Sequence, residues 1–525
     1  MAMAGAPKRR PAKRRPERPR DFAESGLDDL REPLVKRLLA AQKGFTGLMP
    51  RFRLAELRLL ATTLLEFAVD LRSDVGIWRA LEEFQTRTFG TPLPFFAPVG
   101  ADREGAEVTP ARARSFLWGL HGQTIPGFAF EFAPDDPDLA RFADAAAEAL
   151  RDLLGGTSRR SLAKEFLDQP ITYGWDVKEK LIWLGTRSYL FRDLLTLYLA
   201  RRDPKAATEG SQAAIPLIDD FLSEACTGWA GLGAIDVLAG LLPLDPARRA
   251  DLLAWSERHL AVYEVREAAP GRLRVRNLIN DAEYVVRMNV PVDPFCVGHC
   301  VGGSLVPWAG EWYWSGTQQV LGHVGKADER RLKESFRGTP SAYYRLRPDE
   351  LARARELTRQ MHDRFVARHG RDWAVFDDGR ALAADWRAEA EQAAAAAPGP
   401  RRRRPPPPVA IPPDLAATTA PIGVYSNPAE GQELVEEFAD VLAALRKRGA
   451  ELAGDEADAL RGLLVGPDVS PGFVRALADE FGAGSFLRAC AIADPAPPYA
   501  LGYLLRRHKG QYDRPRYPTL TIADA

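Results

Sequence analysis

The chain has 525 residues, 46% hydrophobic and 27% charged. That is more than one hydrophobic core usually organises, so roughly three or four packed units are expected. Four cysteines in this length exclude a disulfide framework, and the absence of any apolar run of about eighteen residues excludes a membrane-spanning helix. Formal charge sums to zero, yet Lys8 to Arg20 concentrate cations against Glu17 alone, leaving a mildly acidic remainder.

Residues 1–20, basic and rich in proline, read as a disordered arm without the apolar centre of a signal peptide, so a cytoplasmic location is expected. From 21 to 260 the pattern is that of a helical domain, divisible into two subdomains. Leu57, Leu60, Leu64 and Phe67 recur at helical spacing opposite Arg58, Glu66 and Asp70. Gly, Pro and Phe mark a loop around Thr91 to Thr109, and a helix follows through Arg112 to Leu120. Asp135-Asp136-Pro137-Asp138 combines an acidic N-cap with Pro at the first helical position; capping explains these aspartates better than a metal cluster does. Trp175, Trp183, Tyr189 and Phe191 supply core material, and Asp245-Pro246 opens a further capped helix.

The period then changes to two. Val262–Arg266, Arg272–Arg276, Tyr284–Arg287, Cys300–Val306 and Trp312–Val320 read as five short strands joined by tight turns. They predict a small antiparallel barrel of SH3-like or OB-like type over residues 261–322. A helical extension (323–389) contains a long helix from Pro348 to His369, closed by Gly370. Alanines, Pro398-Gly399-Pro400, Arg401–Arg404 and Pro405–Pro408 make residues 390–413 a linker. In the last unit, 414–525, Asn427-Pro428-Ala429-Glu430 reads as the capping box of a helix carrying Leu434, Phe438, Val441 and Leu445. Helices from Asp455 to Val465 and from Pro471 to Phe481 follow. The fold class expected is therefore α+β, predominantly α-helical: a helical N-terminal region, a five-stranded barrel and a separate C-terminal helical domain.

Alternation places Arg272, Arg274 and Arg276 on one face of a strand, with Leu273 and Val275 facing the core. With Arg287, Trp312 and Trp314 nearby, cations could track phosphates while indoles stack on bases. Equally, small barrels need large side chains inside, and an arginine row is often the wet face of a strand. A second basic, aromatic patch carries Arg506, Arg507 and Lys509, then Tyr512, Arg514 and Arg516. It could alternatively be a docking tail against an acidic helix at Glu433 to Asp440.

Cys296, His299 and Cys300, with His323 in reach, invite a zinc reading, but no second Cys pair exists and structural cysteines are the simpler account. No cofactor is expected. Asp219, Asp220 and Glu224 read as exposed acidic residues of a helix, and His121 as a helix-end residue. Neither a Gly-x-Ser-x-Gly elbow, nor a phosphate loop, nor a His-Glu-x-x-His helix occurs.

The segments Arg114–Trp118, Trp183–Phe191 and Trp312–Gly316 resemble an uncharacterised bacterial domain-of-unknown-function family common in Bacteroides. The stretch from Val262 to Gly316 also resembles a small barrel of bacterial proteins that carry the zinc-binding tail motif of the secretion ATPase; that motif is absent here. The resemblance implies bacterial origin, a cytoplasmic location and the helical-plus-barrel plan, and no activity. The expectation is a non-enzymatic binding protein whose barrel and basic arms engage nucleic acid. The alternatives are a protein–protein scaffold or regulatory partner acting through residues 414–525, and an enzyme with an unfamiliar site; neither a membrane nor a small-molecule substrate is indicated.

Overall fold

The computed structural model describes residues 27–519 except 48, 50, 98–104, 106, 125–132, 156–160, 205–213, 290–294, 337–342, 346, 397–411 and 448–450. The basic arm and most of the arginine-proline linker lie outside the described residues. What is described is predominantly helical, with a closed five-stranded barrel and a three-stranded sheet.

The N-terminal body begins with α1 (Asp28–Gln42), α2 (Leu54–Arg72), α3 (Ile77–Phe89), α4 (Pro110–Thr124) and α5 (Pro137–Leu154). As the sequence predicts, Asp136 caps α5, its carboxylate accepting from the backbone N–H groups of Asp138 and Leu139. Fully buried Asp138 reaches across to accept from the Thr46 and Gly47 amides. The body continues through α6 (Leu162–Leu167), α7 (Gly174–Arg187), α8 (Arg192–Arg202), α9 (Ala214–Glu224), α10 (Ala234–Leu241) and α11 (Pro246–Ala254). Aromatic rings fill its centre: Phe67 and Phe116 stack at 4.5 Å, and Trp229 stacks on Phe116 at 5.7 Å. Two buried acids in this core are answered. Asp70 accepts from the first backbone amides of α3 and from the Tyr189 hydroxyl at 2.6 Å, while Glu82 takes the buried Arg112 guanidinium.

The barrel consists of β1 (His259–Ala269), β2 (Arg272–Asn277), β3 (Glu283–Arg287), β4 (Cys300–Trp308) and β5 (Glu311–Gly322). Leu273, Val275 and Val286 are fully buried while their neighbours face out, the alternation that a pleated strand imposes. Its cyclic order is β1-β2-β3-β5-β4. Four contacts are antiparallel as expected, but β3 meets β5 in parallel, with Val286 opposite Trp312, so the barrel is mixed. The order is that of the OB-like alternative.

Beyond it come α12 (Lys326–Phe336), α13 (Pro348–His369), which ends at Gly370 in the left-handed region, β6 (Trp373–Phe376) and α14 (Gly379–Ala396). Residues 390–396, expected to begin the linker, are the last turns of α14. The final elements are α15 (Pro413–Ala417), β7 (Ile422–Asn427), β8 (Gly431–Val435), α16 (Phe438–Arg446), α17 (Gly454–Val465), α18 (Pro471–Phe481), α19 (Gly484–Ala489) and α20 (Ala500–Lys509).

Here the capping-box reading fails. Asn427 to Glu430 turns the β7–β8 hairpin: the Asn427 side chain accepts from the Ala429 amide and donates to Glu433. Asn and Pro suit a tight turn as well as a helix start, and only pairing with β6 decides between them. Because β6 joins β7 in one antiparallel sheet, the extension and the C-terminal unit are knitted together. The C-terminal unit is also not separate in space. Tyr503 packs against Phe89, Phe95 and Trp118, and one continuous apolar core contains both regions. Among the described residues no helix is long and apolar enough to cross a membrane.

Candidate anion-binding cleft

On the barrel, the arginine row points outward but meets carboxylates. Arg276 is held by Glu264 at 2.9 Å, Asp281 at 2.6 Å and Glu329 of α12 at 3.4 Å. Arg287 pairs with Glu311 at 2.6 Å and lies over the Tyr173 ring; Arg272 is 3.6 Å from the same glutamate and Arg274 is 3.4 Å from Glu267. The indoles turn the other way. Trp312 packs edge-on against Tyr284 and Trp314 against Tyr263, both in the barrel's apolar filling, and Trp308 is fully buried. A phosphate backbone would compete with glutamates here, and both Trp312 and Trp314 are partly buried.

Most of the C-terminal patch is spent on docking. Lys509 is buried and donates to the Gly466 and Val469 carbonyls; desolvation lowers its ammonium to about 8. Arg506 lies over Phe84, donates to the Ala230 carbonyl and pairs with Asp513. Arg514 makes a bidentate bond with Asp236, and Arg516 pairs with Glu430 of the hairpin. The docking alternative is closer to what the side chains do, with the partner carboxylates on a hairpin and on α10 instead of a helix after Glu433.

Cys296, His299, Cys300 and His323 do not form a ligand set. Cys300 is buried against Val262 and Leu278, Cys296 is exposed, and the two imidazoles meet edge-on at 4.6 Å. Among the described residues, no three His, Cys, Asp or Glu side chains converge as metal ligands would.

Asp219, Asp220 and Glu224 depart furthest from their sequence reading. Arg258, which ends the short 3-10 turn before β1, reaches all three at 2.5–2.7 Å, and Lys178 of α7 meets Asp219 from the other side. The Ser315 hydroxyl of β5 donates to Asp219 at 3.0 Å. Burial pushes the Asp219 carboxyl up, but Lys178 and Arg258 outweigh it and hold the group below its ordinary range, hence ionised. This network latches the barrel onto α7 and α9. It holds the serine between Asp219 and the Lys178 amine, which donates to the Ser315 hydroxyl oxygen at 3.0 Å.

A cleft of about 430 Å³ opens on the far side of α9, walled by α4, α8, the 225–228 loop and α20. That volume suits a small organic ligand. Arg201, Arg202, Arg507 and His508 line it, and no carboxylate does among the described residues. Asp220 and Glu224, the nearest acids on α9, face Arg258 instead. The arginines are positioned from below: Arg202 lies over the Tyr198 ring and Arg507, itself buried, over Trp118 at 4.0 Å. Leu194, Leu197, Tyr198 and Phe221 add apolar lining. Cys226, a thiol on the rim, is pushed upward by burial and so stays protonated at neutral pH, unsuited to attack. Of the residues singled out from sequence only Arg507 contributes.

No family model, curated protein or solved structure matches the chain.

Proposed function

We propose that this is a binding protein whose ligand carries phosphate, held in the cleft between the helical body and α20. The observation that supports it is the concentration of Arg201, Arg202 and Arg507 on a concave surface without a carboxylate among its described lining residues. Arg201 and Arg202, adjacent in the chain and exposed, repel one another, and a multivalent anion relieves that repulsion while accepting charge-assisted hydrogen bonds. The ion-paired barrel face offers a polyanion much less, so the reading moves the anionic partner from the barrel to the cleft.

Calorimetric titration of the full chain with inorganic tripolyphosphate at low ionic strength tests the reading. Saturable binding is expected, weakening with added salt, and R201A/R202A should weaken it about tenfold or more, the equivalent of losing one or two charge-assisted bonds. Absence of binding, or equal binding by the double variant, overturns it. A single-stranded oligonucleotide run in parallel separates the alternative: if it binds and R201A/R202A leaves that binding intact, nucleic acid is held elsewhere on the chain.

A further inference from the structure

The barrel carries a second apolar surface, on its outside. Ala261 and Tyr263 belong to the barrel's filling, so alternation turns Val262 of β1 outward. There it joins Cys300 of β4 and Leu278, in the turn after β2, in a cluster of its own, each no more than 7% exposed. Among the described residues, what packs over this seam is Val324, just before α12, and Leu332 within it. No described residue of α12 is fully buried; Glu329, Leu332 and Lys333 are half-buried, one stripe at i, i+3 and i+4. The rest of the hold is ionic. Glu329 reaches Arg276 at 3.4 Å and Lys333 reaches Asp281 at 3.3 Å, all four side chains keeping some exposure, so salt screens both pairs. Breaking them strands no charge on the barrel, because Arg276 keeps Glu264 at 2.9 Å and Asp281 at 2.6 Å. Gly322, in the left-handed region, ends β5, and Gly325 precedes α12, which gives the chain a pivot between strand and helix.

We infer that α12 is a releasable strap: it lifts from the barrel as one unit, more readily as ionic strength rises, and uncovers Val262, Leu278 and Cys300 while the barrel stays closed. Few buried apolar contacts and exposed ionic ones place a segment at the low end of local stability. The barrel does not need α12 to close, since its five strands pair with one another all the way round. The seam that release bares is continuous with side chains already in solvent. Exposed Leu260 precedes Val262 by two residues on the same face of β1. Exposed Leu321 lies beside Gly302, the partner of Val262 across β1 and β4. Closed, the strap hides half of this apolar strip; open, it leaves the strip whole.

Thiol labelling reads the release, because Cys300 lies under the strap while Cys490 is buried in the core of the C-terminal elements. The full chain carrying Cys296→Ser, which removes the exposed neighbouring thiol, is treated with N-ethylmaleimide. Peptide mapping gives the rate at each cysteine, divided by its rate in the urea-unfolded chain. Cys300 should react about tenfold or more faster than Cys490, and severalfold faster still when sodium chloride is raised from about 0.05 to about 0.5 M. Leu332→Ala should speed Cys300 by about fivefold and leave Cys490 unchanged, since it removes the strap's main apolar contact. Equal protection of the two thiols, a common acceleration of both by L332A, or a Cys300 rate indifferent to salt overturns the inference. Should L332A fail to fold, amide exchange in the unsubstituted chain decides: the α12 amides should exchange together and ahead of those of β1 and β2, and protection equal to that of the strands sinks the strap.

Discussion

The imidazole of His259 sits at the mouth of the barrel, its Nδ1 3.1 Å from the Tyr284 hydroxyl and its ring 4.8 Å from that of Trp312. Burial, aided by the nearby Arg345 cation, lowers it to about 3. In the unfolded chain the same group titrates near 6.5. Between these values the unfolded chain binds a proton that the folded chain refuses, so stability rises with pH across that window and is lost on acidification through it. From pH 7 to pH 5 the loss attributable to His259 should be about 2 kcal/mol. Urea titrations at both values measure it, and His259→Gln should remove that part of the drop; an equal drop in the variant means that another group carries the acid sensitivity. Nothing around His259 in sequence announces this, since Tyr284 and Trp312 reach it only once the barrel closes. The alternation in Arg272 to Arg276, by contrast, was legible because each strand residue's facing follows from its neighbour's.

At the scale of elements, the barrel is fastened to the body by a short list of contacts on one edge. Tyr313 of β5 lies against Gly174 so closely that a Cβ there would come within 2.7 Å of its ring. The Trp255 indole donates to the Pro307 carbonyl at 2.6 Å. Between these lies Asp219, flanked by Lys178 and Arg258. Asp219→Ala would leave a largely buried ammonium without its carboxylate, and losses of this kind run to about 3 kcal/mol or more. Arg258 keeps Asp220 and Glu224, so the expected destabilisation is about 2–3 kcal/mol, read as a lower urea midpoint. Gly174→Ala should destabilise through overpacking alone, by about 1–3 kcal/mol. If neither variant shifts the midpoint, the barrel does not depend on this edge. Sequence patterning delivers the barrel's strands but not this latch, because Asp219 and Ser315 are far apart in the chain and each has an ordinary local role. The β7–β8 hairpin was missed for a related reason: its turn residues are also cap residues, and the pairing with Trp373–Phe376 is the deciding fact.

Across the whole molecule, the C-terminal elements complete both the core and the cleft, and this was the least legible feature. Gln123, Arg202, Gly228 and Arg507 come from four distant stretches, and no spacing within any of them marks a site. The basic character of α20 was visible, but its cations divide between docking and the cleft only once the body is folded beneath them. Tyr503 is central to that docking, 95% buried among Phe89, Phe95 and Trp118. Since the two regions share one core, the chain should unfold with tryptophan fluorescence and far-ultraviolet circular dichroism changing together. Tyr503→Ala deletes an aromatic ring at the junction, a loss of about 3–5 kcal/mol in a well-packed site. The expected result is that the C-terminal elements come free before the body melts, so that the two signals part. Tripolyphosphate affinity should fall in the same variant, because α20 carries Arg507 and His508 to the cleft wall. If Y503A unfolds in a single transition with unaltered tripolyphosphate affinity, α20 keeps its seat without that ring, and the aromatic cluster is not what joins the two halves.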